Sequence, residues 1–245
     1  MYLYIYDSFL SNPKYTGVLS KIEQRVTDLD VKGKIARLTL LRNIKELISE
    51  GIKEGVKTVV AIGDDQTFAK VINVAADLNV VLAFIPVVDD SKFAKMLGIP
   101  PRELACDILS GRIIKKIDLG KINNQYFLNS AEISNAAVSI KCNKFQIQPT
   151  TKLHKIDILN FGTSERPSNP TDGFMEAIIT PLKKGFFKLR ALQSTKLPFT
   201  KISISSLGDE PVSILMDQQQ IIKTPALIEI VPDALRIIVG SQRAF

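Results

Sequence analysis

The chain has 245 residues, 45% of them hydrophobic and 23% charged, with a net charge of +7, one histidine and no tryptophan. That length can bury a substantial core and favours one large or two modest domains. A lone His154 leaves a His-based metal site or a Ser/His triad almost nothing to draw on, and 17 basic against 15 acidic side chains up to residue 118, then 15 against 10, is too small an excess to argue for nucleic-acid binding.

In chain order, YLYIY (2–6) alternates like a strand and carries neither the basic head nor the cleavage site of a secretory leader. GVLSKIEQRVTDL (17–29) has helical spacing, KIARLTL (34–40) reads as a strand, and LRNIKELISEGIKEG (41–55) as a helix ending on Gly55. TVVAIG (58–63) is a buried strand, QTFAKVINVAADL (66–78) a helix, and VVLAFIPV (80–87) another buried strand. DSKFAKMLGI (90–99) is a helix stopped by Gly98 and Pro100-Pro101. Asn73, Asp77 and Asn79 interrupt the most hydrophobic stretch, Val71 to Val88, which argues against a membrane span.

The pattern changes near Gly111. KIDLG, QYFLN, FQIQP, KIDILNF, KISISSL, VSILM, ALIEIV and LRIIVG are short β-like runs separated by Asn, Gly and Pro, the signature of an antiparallel sandwich or barrel. PLKKGFFKLRAL (181–192) reads as a helix interrupting them. The expected fold is α/β plus β: an N-terminal parallel-sheet α/β domain, residues 1–118, followed by an antiparallel β-sandwich domain, residues 119–245. Cys106 and Cys142 form no CxxC and fit a reducing cytoplasm.

Two turns carry the chemistry. In AIGDDQTFAKVI (61–72) a strand breaks at Gly63, passes through Asp64, Asp65 and Gln66, and becomes a helix from Thr67. Strand-to-helix turns of this kind hold phosphates in many α/β proteins, usually with several glycines. The plain alternative is a strand end and a helix capped by Asp64 or Asp65. Asp89, Asp90 and Ser91 before KFAKML offer the same choice.

The two turns in this order, followed by a β-rich half, resemble the diacylglycerol kinase catalytic-domain family, which includes bacterial lipid kinases and sphingosine kinases. Gly63, Asp64, Asp65, Gln66 and Thr67 stand where that family has GGDGT. Pro86, Phe93, Ala94 and Leu97 to Pro100 match its second turn, whose GTGND core is here Val88, Asp89, Asp90, Ser91 and Lys92. Asp118, Gly120, Phe127 and Asn129 match the crossover, and Asp172-Gly173 a later DG strand. Asp217 keeps the first residue of a DGE motif, while Gln218 and Gln219 replace the other two.

The resemblance implies ATP and Mg2+ as cofactors, with Gly63, Asp64, Gln66, Thr67, Asp90, Ser91 and Lys92 toward the nucleotide in a cleft between domains. It puts Asp65 on the metal and Asp65, Asp217 and Gln219 at the reacting groups. Asp64, Gln66, Val88 and Asp90 add side chains where glycine would let the backbone approach a phosphate. Four acids also gather there, and a pair of like charges about 4 Å apart repels by ~1 kcal/mol in water and ~4 at an effective dielectric of 20. Magnesium would reverse that sign by bridging carboxylates and phosphates. Gln219 cannot take a proton, because an amide has no useful basicity near neutral pH. Asp217 with its glutamines also fits a plain hairpin turn.

The leading expectation is therefore a lipid-kinase scaffold with weakened or lost phosphotransfer. The alternatives are an active kinase with an altered metal and base arrangement, and a non-catalytic module for membrane or nucleic acid. Lys183, Lys184, Phe186, Phe187, Lys188 and Arg190 combine charge with aromatics and suit an anionic membrane surface. A solvated helix face is the plain alternative. The location implied is cytoplasmic, peripheral to a membrane where lipid is met.

Overall fold

Four parallel strands and their connecting helices make up most of the described first half of the chain. In the computed structural model, which describes residues 1–39, 43–134, 136–142, 145–149, 154–162, 168–184, 189–191 and 193–245, these begin with β1 (Tyr2–Tyr6), α1 (Thr16–Asp28), β2 (Gly33–Arg37), α2 (Ile44–Lys53) and β3 (Thr58–Gly63). They continue through α3 (Asp65–Ala75), β4 (Val81–Pro86), α4 (Lys92–Leu97) and α5 (Ala105–Gly111). The later strands are β5 (Ile114–Ile122), β6 (Gln125–Phe127), β7 (Ser130–Ser134), β8 (Val138–Cys142), β9 (Phe145–Ile147) and β10 (His154–Leu159). After them come β11 (Met175–Lys184), β12 (Leu189–Ala191), β13 (Thr195–Phe199), β14 (Lys201–Ser206), β15 (Ser213–Met216), β16 (Gln220–Lys223) and β17 (Ala226–Ile238).

Two units result: Met1–Ile117 with Ala234–Phe245, and Asp118–Asp233. In the first, the strand order is β2-β1-β3-β4, all parallel, and the end of β17 adds to it where Arg236 and Ile237 pair with Val81 and Leu82. Every residue of β3 and β4 is buried, as expected of strands covered on both faces by helices. Residues 234–245 thus fall with the first unit, whereas the sequence reading placed all of 119–245 in the second. Leu97 and Met96 accept hydrogen bonds from the Gly240 and Ala244 N–H groups at 2.9 Å, so the tail docks on the end of α4. The left-handed Gly98 (φ 67) is required there, because a Cβ on it would lie 2.5 Å from the Arg243 nitrogen.

In the second unit, β17 pairs antiparallel with β14, β14 with β8 and β8 with β9. A separate sheet runs β12-β11-β10-β7-β15-β16, with β13 on β11. Apolar side chains from both, among them Ile133, Ile156 and Met175 on one and Ile140, Ile202 and Ile228 on the other, form a common core. The alternating pattern of the sequence is this sandwich. Buried Asp118 ties its ends together, accepting N–H groups from Gly173 and Asp233 at 2.8 Å. Asp233 has φ 53, and the two β-runs read on either side of it are one strand, β17.

One element differs in type. Residues 181–184 and 189–191 are strand, with Leu182, Lys183 and Lys184 opposite Ala191, Arg190 and Leu189. The helical spacing of PLKKGFFKLRAL yields because β10 supplies a partner as far as Pro181, opposite His154, and β12 supplies one beyond it. His154 and both cysteines are buried. Burial pushes the Cys106 thiol up to about 12, which makes it inert. Among the described residues, no helix is long and apolar enough to cross a membrane.

Candidate functional site

The turn at Gly63 is built by its own side chains. Asp64 caps α3, accepting the Thr67 N–H at 2.9 Å, and the Thr67 hydroxyl faces the Asp64 N–H at 3.4 Å in return. Thr67 is fully buried, and its hydroxyl lies 2.9 Å from both Asp64 Oδ1 and Asp7 Oδ2. With a single proton it donates to one of them at a time. Gly63 is required by space: an added Cβ would stand 2.3 Å from Thr67 Oγ1. Gly63→Ala is expected to cost about 1–3 kcal/mol by displacing Thr67, read as a lower midpoint in thermal unfolding. An unchanged midpoint would mean that the turn yields freely.

Asp64, Gln66, Val88 and Asp90 have no positive φ, so none sits in a conformation that needs glycine. Gln66 is exposed within α3. Gly63 in this turn is fixed as glycine by close packing against Thr67.

Asp65 joins the two turns. Its Oδ1 accepts the Ser91 hydroxyl and its Oδ2 the Lys92 N–H at 2.9 Å, while Ser91 caps α4 by accepting the Ala94 N–H at 3.0 Å. The expected residues Gly63 to Thr67 and Ser91-Lys92 are thus brought together. The four acids do not face one another uncompensated. Arg102 holds Asp89 at 2.7 Å, and Lys95 pairs with Asp90, keeping its carboxyl below the ordinary value. Among the described residues, no group of three acidic, His or Cys side chains is placed to hold a metal ion.

Beside this turn lies a cavity of about 550 Å3, a volume in the range of small-molecule sites. It sits past the carboxyl ends of β1 and β2, where open parallel sheets place ligands. Asp7, Ser8, Thr39, Asn43, Lys45 and Lys70 give it polar lining; Leu38, Ile44 and Val74 are its apolar part. Asp7 is the link to the turn, since it meets the Thr67 hydroxyl and lies 3.6 Å from Lys70 Nζ. None of these lining residues was singled out from the sequence. The signal existed: Asp7 and Ser8 directly follow β1, and Thr39 follows β2.

Burial alone would raise the Asp7 carboxyl, but the Thr67 hydroxyl, the Lys70 ammonium, the Phe9 N–H and the Ser8 hydroxyl outweigh it and hold it below its ordinary value of 3.8. A depressed carboxylate contributes stability that is complete above the ordinary value and is lost as pH falls through the folded one. Urea unfolding should show wild type more stable than Asp7→Asn near neutrality, with the gap closing at pH below the ordinary value. A constant gap would deny Asp7 this role.

Asp217 and Gln219 belong to the second unit, in the connection between β15 and β16. Asp217 (φ 50) and Gln218 (φ 60) make a left-handed turn closed by the Gln219 N–H on Met216 O at 3.0 Å. The Asp217 carboxylate accepts N–H groups of Leu128 and Asn129 at 2.8 Å and of Ser130 at 3.0 Å. This is the hairpin reading, with an anchoring carboxylate added. Lys183, Lys184 and Arg190 lie on β11 and β12. Phe186, Phe187 and Lys188 lie outside the described residues.

The family model "Diacylglycerol kinase catalytic domain" matches residues 2–122. A Bacillus subtilis protein named "Diacylglycerol kinase" is 38% identical over 77 residues, 30% of this chain and 25% of that protein. A Pseudomonas aeruginosa protein named "Probable lipid kinase YegS-like" is 33% identical over 89 residues, 36% of this chain and 30% of that one. The matched parts span less than a third of those relatives. The solved structure of a diacylglycerol kinase from Bacillus anthracis shares the fold, with TM-score 0.77 and 17% identity over 98% of this chain and 97% of that one. Residues 2–122, which carry both turns and the cavity, belong to the diacylglycerol kinase catalytic-domain family.

Proposed function

We propose that the protein is a lipid kinase of the diacylglycerol kinase type in which ATP occupies the cavity beyond β1 and β2 and phosphotransfer is weakened by the loss of a base at position 219. The observation carrying this reading is the cavity itself, which adjoins the Gly63–Thr67 turn inside the region that matches a kinase catalytic domain. ATP brings the phosphoryl group and magnesium as its counter-ion. One carboxylate plus phosphate oxygens and water is an ordinary set for that ion, and Asp65 is the carboxylate we assign to it. Asp65 already spends both oxygens on Ser91 and Lys92, so it keeps the two turns in register whether or not the ion is present.

The acceptor in this reading is a lipid hydroxyl at an anionic membrane surface, met through the basic segment around Lys183 and Arg190. The test is transfer of labelled phosphate from ATP to diacylglycerols and related lipids, presented in anionic and in neutral vesicles. Slow transfer to at least one lipid, faster on anionic vesicles, is expected. Transfer at rates ordinary for kinases, about 1–100 per second, would favour an active enzyme with another base in place of residue 219. Equal rates on both vesicles would remove the membrane part, and no transfer to any lipid together with no ATP binding would remove the kinase reading.

A further inference from the structure

Three backbone donors of the two turns are committed within the protein. The Thr67 N–H goes to Asp64 and the Lys92 N–H to Asp65, both at 2.9 Å, and the Asp64 N–H faces the Thr67 hydroxyl. A phosphate in the neighbouring cavity must find its positive charge elsewhere. Two ammonium groups line that cavity, those of Lys45 and Lys70.

Neither lysine is explained by its helix. Lys45 stands in the first turn of α2, behind the Asn43 cap, where the helix dipole favours an anion. Lys70 has a half-exposed side chain on α3. Its ammonium lies 3.6 Å from Asp7, an ion-pair distance too long for a hydrogen bond. Asp7 is meanwhile bound more tightly to the Thr67 hydroxyl, at 2.9 Å. Lys70 is therefore held at the cavity wall by charge rather than by a fixed bond.

Resting on the reading of the cavity as a nucleotide site, we propose that Lys70, assisted by Lys45, is its phosphate-binding group, and that Asp7 is the counter-ion a polyphosphate must compete with. Side-chain charge takes over the work that a glycine-rich turn does with backbone N–H groups. Affinity should then fall as salt is raised, because half-exposed charges are screened.

The experiment is calorimetric titration of the full chain with ATP, inorganic tripolyphosphate and adenosine, with unfolding midpoints as a check on each variant. Lys70→Met should weaken ATP and tripolyphosphate by about tenfold or more while adenosine changes by no more than about twofold. Lys70→Arg should keep affinity within about threefold, since the charge remains. Asp7→Asn should strengthen tripolyphosphate several-fold, because it removes the competing anion but keeps an oxygen for Thr67.

Wild type that binds ATP, with Lys70→Met binding tripolyphosphate as well as wild type does, overturns the assignment and leaves the nucleotide reading standing. Tripolyphosphate bound through Lys70, with ATP no tighter, keeps the assignment and removes the nucleotide reading. Uptake of neither removes both. Should Lys70→Met fail to fold, Asp7→Asn decides: no gain in tripolyphosphate affinity overturns the proposal.

Discussion

Gln219→Glu is expected to raise phosphate transfer from ATP to the accepted lipid by about 10²-fold. The backbone of residue 219 is held by its N–H bond to Met216 O and by the left-handed pair Asp217-Gln218 before it, so the new carboxylate enters a place already shaped. Glutamine and glutamate are nearly the same size, and the change adds basicity with little else. From the sequence, this single change is expected to achieve little, because ATP would be poorly held without the lost glycines. That reason is weakened by the turn as folded, in which Asp64, Gln66 and Asp90 need no glycine conformation and each acid has a local partner. Gln66→Gly is now expected to be unhelpful, since it places glycine inside α3 at a cost of up to about 1 kcal/mol. The lipid panel with labelled ATP measures both variants. A Gln219→Glu protein no faster than wild type on every lipid would remove the assignment of a base to this position.

Asp217→Ala is expected to destabilise the protein by about 3 kcal/mol or more, because three N–H groups lose a charged acceptor at once. Those donors, on Leu128, Asn129 and Ser130, lie where β6 passes to β7, and Asp217 N–H in turn bonds Ser130 O at 2.7 Å. The carboxylate thereby joins the β15–β16 hairpin to the strand β7 beside it. Asp217→Asn, which keeps one accepting oxygen, should fall between wild type and alanine. Urea unfolding of the three proteins checks the order. If Asp217 served instead as the proton acceptor, alanine would leave the unfolding midpoint in place and abolish transfer, which is the opposite pattern.

Why so much was legible follows from how the strands are buried. TVVAIG and LAFIP are continuous apolar runs because β3 and β4 are covered on both faces, and no local alternative competes with that signal. The alternating runs of the second unit are legible for a different reason: each strand buries one face, as β14 does. Residues 181–184 and 189–191 depart from the helix read there because periodicity does not record pairing: Pro181 stands opposite His154 on β10, and 182–184 pair with 189–191. Pro232-Asp233 looked like a break between two strands, and it is a bend within β17.

The candidate site divides in the same way. The order of residues by itself determined the two strand-to-helix turns, the capping roles open to Asp64 and Ser91, and the absence of a carboxylate at 219, since each depends only on neighbours within a few positions. Tertiary structure alone decided that Asp65 bridges to Ser91 across 26 positions and that Asp7 reaches Thr67 across 60. It likewise decided that Ser8, Thr39, Asn43, Lys45 and Lys70 share one cavity. The physical reason is the parallel sheet: its strands all end on one side, so residues far apart in the chain meet past their carboxyl ends, and no local pattern records which of them will.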